Sequence, residues 1–213
     1  MAESKQSSLF DGGNSYNANK FLGTYLFFDT ETTGLPKKWQ APVTDLDNWP
    51  RLIQIAWVVY KNGIKIESKD LIIKPENFEI PLDASKIHGI TTERAQKDGI
   101  LLQEALNELN NLISQADYLV GHNISFDEMI VGAEFLRKNI QNSLSDKKKI
   151  CTKEMSTDFC AIPSINGYGR YKWPKLSELH LKLFSMAFDD SHNARADVEA
   201  TAKCFWEMKR LGI

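Results

Sequence analysis

The stretch Tyr25-Leu26-Phe27-Phe28-Asp29-Thr30-Glu31-Thr32-Thr33-Gly34 decides the reading of this chain. Its aromatic, apolar start has the character of a buried strand, expected over Thr24–Asp29. Two acids follow where the strand runs out into a loop. In extended chain, residues two apart share a face, so Asp29 and Glu31 point to one side of the sheet. Two carboxylates placed together repel each other and are costly to desolvate. A hard divalent cation between them, such as Mg²⁺ or Mn²⁺, removes that cost, because such ions prefer carboxylate oxygens. An isolated Asp-x-Glu is also what a solvated turn or a helix cap presents, so the remaining sequence has to decide.

Outward from that stretch, Pro36 to Pro50 reads as an irregular insertion carrying Trp39 and Trp49. Leu52–Tyr60 is an apolar, β-branched run expected to be a buried strand. Asn62-Gly63 is a hairpin signal, and Ile64–Lys74 returns as a third strand. Pro81–His88 reads as a short helix stopped by Gly89, and Thr91-Thr92-Glu93 opens another. Leu101–Ser114 and Ser125 to about Lys138 carry apolar residues at helical period, with Tyr118–Val120 as a short strand between them. Asn142–Lys149 reads as a charged loop, with Lys175–Phe184 and Ala194–Leu211 as closing helices. Strands in hairpin order followed by alternating helix and strand predict a mixed sheet with helices packed on it.

The bulk properties narrow the class. A chain of 213 residues suits one domain with a substantial core. A net charge of −2 argues against a long phosphate-tracking surface, but not against an enzyme that grips a few nucleotides with the help of cations. Cys151, Cys160 and Cys204 are odd in number and lack CxxC spacing, so they form neither a zinc site nor a disulfide framework. Reduced thiols in the cytoplasm are the expectation. No apolar run nears the roughly 20 residues of a membrane span. Residues 1–20 are polar, lack a signal-peptide core and are expected to be flexible; residues 21–213 are expected to form one domain with the insertion at about 36–50.

Two more acids sit at comparable local positions. In His122-Asn123-Ile124-Ser125-Phe126-Asp127, Asn123 or Ser125 is placed to cap a helix whose first turn holds Asp127. That turn favours a carboxylate through the helix dipole, with or without a catalytic role. In Ser191-His192-Asn193-Ala194-Arg195-Ala196-Asp197, Asn193 is the expected cap, Asp197 lies near the helix start and His192 just outside it. A histidine there is a candidate base near neutral pH. Four acids at strand ends and helix starts lie where α/β folds assemble sites. They suit two cations about 3.5–4 Å apart, the arrangement used for in-line phosphoryl displacement.

These residues together carry a family resemblance. Asp29-Thr30-Glu31-Thr32-Thr33-Gly34-Leu35, His122-Asn123-x-x-Phe126-Asp127 and His192-x-Ala194-x-x-Asp197 resemble, in order and spacing, the three motifs of DEDDh-type 3′–5′ exonucleases. The pattern is similar to the proofreading (epsilon) subunits of bacterial DNA polymerase III, and it runs from about Tyr25 to Leu211. The resemblance implies an RNase H-like α/β fold, a mixed five-stranded sheet flanked by helices. It implies hydrolysis of DNA 3′ ends, single-stranded or frayed, to nucleoside 5′-monophosphates, in proofreading or repair, with DNA polymerase subunits as candidate partners. Asp29, Glu31, Asp127 and Asp197 would hold two Mg²⁺ or Mn²⁺ ions, and His192 would be the base. Thr32, Thr33, Gly34, Leu35 and His88, the last within Ile87-His88-Gly89-Ile90-Thr91, would meet the terminal nucleotide. Asn123 would orient the scissile phosphate or a loop, or simply cap its helix.

Alternatives stay open at this stage. An RNA 3′–5′ exonuclease, RNase T-like or oligoribonuclease-like, would use the same acids. A catalytically inactive nucleic-acid-binding module would be expected to lack one of them. An RNase H-like endonuclease fits poorly with the Thr-Thr-Gly element. Leu35 reads as a wedge beside a base or as loop packing, Phe126 as a core anchor, and His180 as structural. Trp39 and Trp49 read as packing or as a partner surface. Lys147-Lys148-Lys149 is expected to be a solvated loop, and Arg170-Tyr171-Lys172-Trp173, with Gly167 and Gly169 before it, an exposed basic loop with the composition of a single-strand contact.

Overall fold

The strand that opens the sequence reading becomes the centre of a five-stranded mixed sheet. The computed structural model describes residues 21–164, 169–188 and 193–213. The 1–20 segment, Gly167 and His192 lie outside them. Strand β1 (Thr24–Thr32) pairs antiparallel with β2 (Leu52–Lys61), which pairs antiparallel with β3 (Ile64–Ile72). On its other side β1 runs parallel to β4 (Tyr118–Gly121), and β4 parallel to β5 (Lys148–Cys151). The order across the sheet is β3-β2-β1-β4-β5. The β2–β3 turn has Asn62 and Gly63 at φ 52° and 80°, as a two-residue primed turn requires.

The helices are α1 (Leu82–His88), α2 (Thr92–Asp98), α3 (Leu102–Gln115), α4 (Ile124–Arg137), α5 (Thr152–Met155), α6 (Thr157–Cys160), α7 (Leu176–Phe184) and α8 (Ala194–Leu211). None of the described helices is long and apolar enough to cross a membrane. The three cysteines are unpaired thiols, and burial pushes that of Cys204 up to about 12.

The period-2 alternation of β1 splits the core in two. Leu26 and Phe28 face one way, joining Leu52, Ile55, Trp57 and the apolar stripes of α3 and α4. Tyr25 and Phe27 face the other, joining Ala56, Val58, Tyr60 and the α8 residues Val198, Ala202, Phe205 and Trp206. β1 is therefore sandwiched between α4 and α8, which sets where its polar end can receive partners.

Two expectations need correction. The stretch 142–149 is not simply a charged loop: Leu144–Asp146 make a 3-10 turn and Lys148–Cys151 form β5, an edge strand. Lysines at a sheet edge discourage pairing with other chains, and they also hide the strand from an apolar pattern. Nor are those lysines merely solvated. Lys147 Nζ donates to the carbonyls of Ser114 and Ala116 at the end of α3, Lys148 lies 5.7 Å from the Tyr118 ring centroid, and Lys149 pairs with Glu128 at 2.9 Å.

Within 36–50, Trp49 is buried and its Nε1 donates to the Pro42 carbonyl at 3.0 Å, so it is packing. Arg137 of α4 donates to the carbonyls of Leu46 and Trp49, tying the insertion to the helix. Trp39 stays more than half exposed, its ring 5.9 Å from that of Phe126, which is partly buried against the core as expected.

Candidate active site

Asp29 and Glu31 stand two apart near the end of β1, opposite Ala56 and Gln54 of β2. The register slips between Glu31 and Thr32, an irregularity of the kind that re-aims side chains beside functional sites. By alternation both acids belong to the face covered by α8. That helix is started by Asn193, whose side chain accepts from the backbone N–H groups of Arg195 (3.1 Å) and Ala196 (3.4 Å). The small, fully buried Ala194 lets the helix start lie close to the sheet. Asp197 in the first turn of α8 is thereby delivered to β1. Oxygens of Asp29, Glu31 and Asp197 lie within 4.8 Å of one another. A hard, oxygen-seeking donor set of this spacing fits a divalent cation.

Asp127 reaches the same sheet end from the opposite face. It lies in the first turn of α4 and is buried. The Thr30 hydroxyl, which alternation turns away from Asp29 and Glu31, donates to Asp127 Oδ1 at 2.6 Å. Burial pushes the Asp127 carboxyl up to about 7; the nearby Asp197 charge adds to this, and hydrogen bonds from Thr30 and the local backbone oppose it. Asp127 is thus close enough to sense Asp197 but is not part of the three-acid cluster. A proton on Asp127 lessens its repulsion with Asp197.

The Thr-Thr-Gly turn holds itself together. Thr32 is buried and its hydroxyl donates to the Gly34 carbonyl at 2.6 Å. Thr33 pairs with Arg51 through both backbone and hydroxyl at 2.9 Å. These bonds fix the shape of the turn, engaging the Thr33 N–H and the Gly34 carbonyl. Gly34 adopts φ +149°, and a Cβ there would meet nothing within 4 Å, so the space beside it is open. Leu35 is 73% exposed, which rules out loop packing. His88 is buried, accepts the Ile90 N–H on Nδ1 at 3.2 Å and lies against the Thr32 backbone; burial holds its pKa below the usual histidine value.

Asn123 occupies the N-cap position of α4 in the left-handed region, φ 78°, but its side chain makes no cap. Its Oδ1 instead accepts from Lys153 Nζ. His122 bridges Thr152 Oγ1 (3.0 Å) and the Pro174 carbonyl (3.1 Å), locking the end of β4 to α5 and to the 169–175 loop. Sequence reading missed Thr30 and Lys153. An alternating strand points Thr30 away from the acids, and nothing local to Lys153 announces a partner in another segment.

A model of the RNase_T exonuclease family matches residues 26–205. The chain belongs to this exonuclease family. Over 177 residues it is 31% identical to the PolC-type DNA polymerase III of Mycoplasmopsis pulmonis, and over 192 residues 33% identical to that of Streptococcus agalactiae. These matches cover 83% and 89% of the chain but 11% of each relative. The exonuclease chain also overlays E. coli Exonuclease I, solved with a 5cy-dA13 oligonucleotide, at TM-score 0.68 and 22% identity, covering 88% of this chain and 40% of that one. The fold shared with it is a mixed five-stranded sheet flanked by helices.

Proposed function

We propose that this exonuclease is a metal-dependent 3′–5′ exonuclease acting on DNA, with residues 21–213 as its catalytic domain. The observation that carries the reading is the convergence of Asp29, Glu31 and Asp197 from β1 and α8. The proofreading assignment draws support from the PolC-type relatives, and the DNA preference also from the oligonucleotide in Exonuclease I. The same kinship supports a polymerase partner and a cytoplasmic setting.

Asp29, Glu31 and Asp197 would hold Mg²⁺ or Mn²⁺, with Asp127 supporting a second ion directly or through water. Bound there, the ions would lower the pKa of the attacking water and offset charge on the leaving 3′ oxygen. His192, one residue before the α8 cap Asn193, would take the proton of that water. The open side of Gly34 and the exposed Leu35 would receive the terminal nucleotide, with the backbone of the turn approaching it closely. Asn123, held by Lys153, would orient the scissile phosphate.

The test uses 5′-labelled single-stranded DNA, a mispaired duplex and RNA with Mg²⁺ or Mn²⁺. A ladder shortening from the 3′ end of DNA is expected, lost in Asp29→Ala and in EDTA. Internal fragments, or full activity in Asp29→Ala, would overturn the mechanism. Preferential RNA shortening would transfer it to the RNA alternative.

A further inference from the structure

Trp49, Trp57 and Trp206 are buried, but Trp39 and Trp173 are 55% and 62% exposed. An indole left in water forgoes a large burial gain, and both of these sit among cations. Trp39 follows the exposed Lys37 and Lys38. Trp173 follows Arg170-Tyr171-Lys172 and carries Lys153 Nζ 4.0 Å from its ring centroid. The two segments are far apart in sequence yet both come to the start of α4. Trp39 packs against Phe126, while the lysine at Trp173 holds Asn123. The Phe126 N–H donates to the Asn123 carbonyl at 2.9 Å, so the two anchor points are one helical turn apart. Asp127 is the next residue, bonded to the threonine between the paired acids.

Resting on the nuclease reading, we infer that Trp39 and Trp173 are stacking platforms for bases of the single strand entering the site. They flank the α4 start, with Lys37 and Lys38 beside the phosphates. Stacking tolerates any base, because every base has a π face. It also suits a chain of net charge −2, which lacks the basic surplus for a long electrostatic grip. The substrate segment recognised is short and unpaired, since stacked bases must leave the duplex.

Intrinsic fluorescence is titrated in EDTA with an oligothymidylate of about ten nucleotides. Hydrolysis of the p-nitrophenyl ester of thymidine 5′-monophosphate with Mn²⁺ is measured in parallel. The ester has no upstream base, so it reads the chemistry and the fold without the platforms. The oligonucleotide is expected to quench the wild type. Trp39→Ala and Trp173→Ala should each weaken oligonucleotide binding by about 5-fold or more, raise KM for it, and leave ester hydrolysis unchanged. Variants that bind the oligonucleotide like the wild type would overturn the inference, as would variants that lose ester hydrolysis, which would make the tryptophans supports of the site instead. Failure of the nuclease reading is separable: the wild type itself would not hydrolyse the ester.

Discussion

Glu134→Ala tests how the insertion is fastened beside the site. Glu134 lies on α4 with its side chain 0% exposed. Its Oε1 accepts from Arg51 Nε at 2.8 Å and from the Leu52 N–H at 3.0 Å, and Arg137 Nη1 stands 3.0 Å away. The guanidinium side chains are 28% and 15% exposed, so both are mostly withdrawn from water. Truncation leaves two poorly hydrated cations facing each other's field and strips the start of β2 of an acceptor. Breaking such a buried arrangement costs about 3–5 kcal/mol. For a chain of this size each kcal/mol shifts Tm by roughly 2–4 °C, so a fall of about 10 °C is expected. Urea unfolding with an unchanged m-value measures the energy. Arg137 also holds the carbonyls of Leu46 and Trp49, so limited proteolysis within 36–50 should quicken in the variant. Glu134→Gln keeps an acceptor for Leu52 and should fall between the variant and the wild type. A loss below about 1 kcal/mol with unchanged proteolysis would refute the reasoning, because a compensated surface pair costs no more than that.

Other outcomes follow from the site. The folded Asp127 carboxyl titrates at about 7, above its usual 3.8, so the folded state keeps a proton that the unfolded chain has lost. In EDTA, wild-type stability should therefore fall as pH rises between about 4 and 7, and Asp127→Asn should flatten that fall; parallel Tm profiles would contradict it. His192→Ala should cut turnover by about 10²–10⁴-fold, with an unchanged rate removing it from the role of base. A Cβ on Gly99 would come 2.3 Å from the Ala95 carbonyl oxygen and 2.7 Å from the Lys74 nitrogen, both backbone atoms. Gly99→Ala should thus lower the urea midpoint by an amount worth about 1–3 kcal/mol, and an unshifted midpoint would show that α2 moves freely against the strand end.

Most of the elements could be read from local chemistry. Asn62-Gly63 turns, Gly89 stops α1, Asn193 caps α8, and the apolar stripes of α3 and α4 face the core, since each signal is complete within a few neighbouring residues. β5 escaped because an edge strand need not be apolar. The Asn123 side chain escaped because its partner, Lys153, lies on another element.

By itself the sequence determined that Asp29 and Glu31 share a side, because strand alternation is a property of extended backbone. It also determined that Asp127 and Asp197 open helices. Only the tertiary structure decided that α8 and α4 cover opposite faces of β1. That division places Asp197 with the paired acids, sends Asp127 to Thr30, and brings two distant tryptophans to one helix start. These are pairings between segments, set by how the apolar faces of two helices pack on one sheet, and no local pattern encodes them.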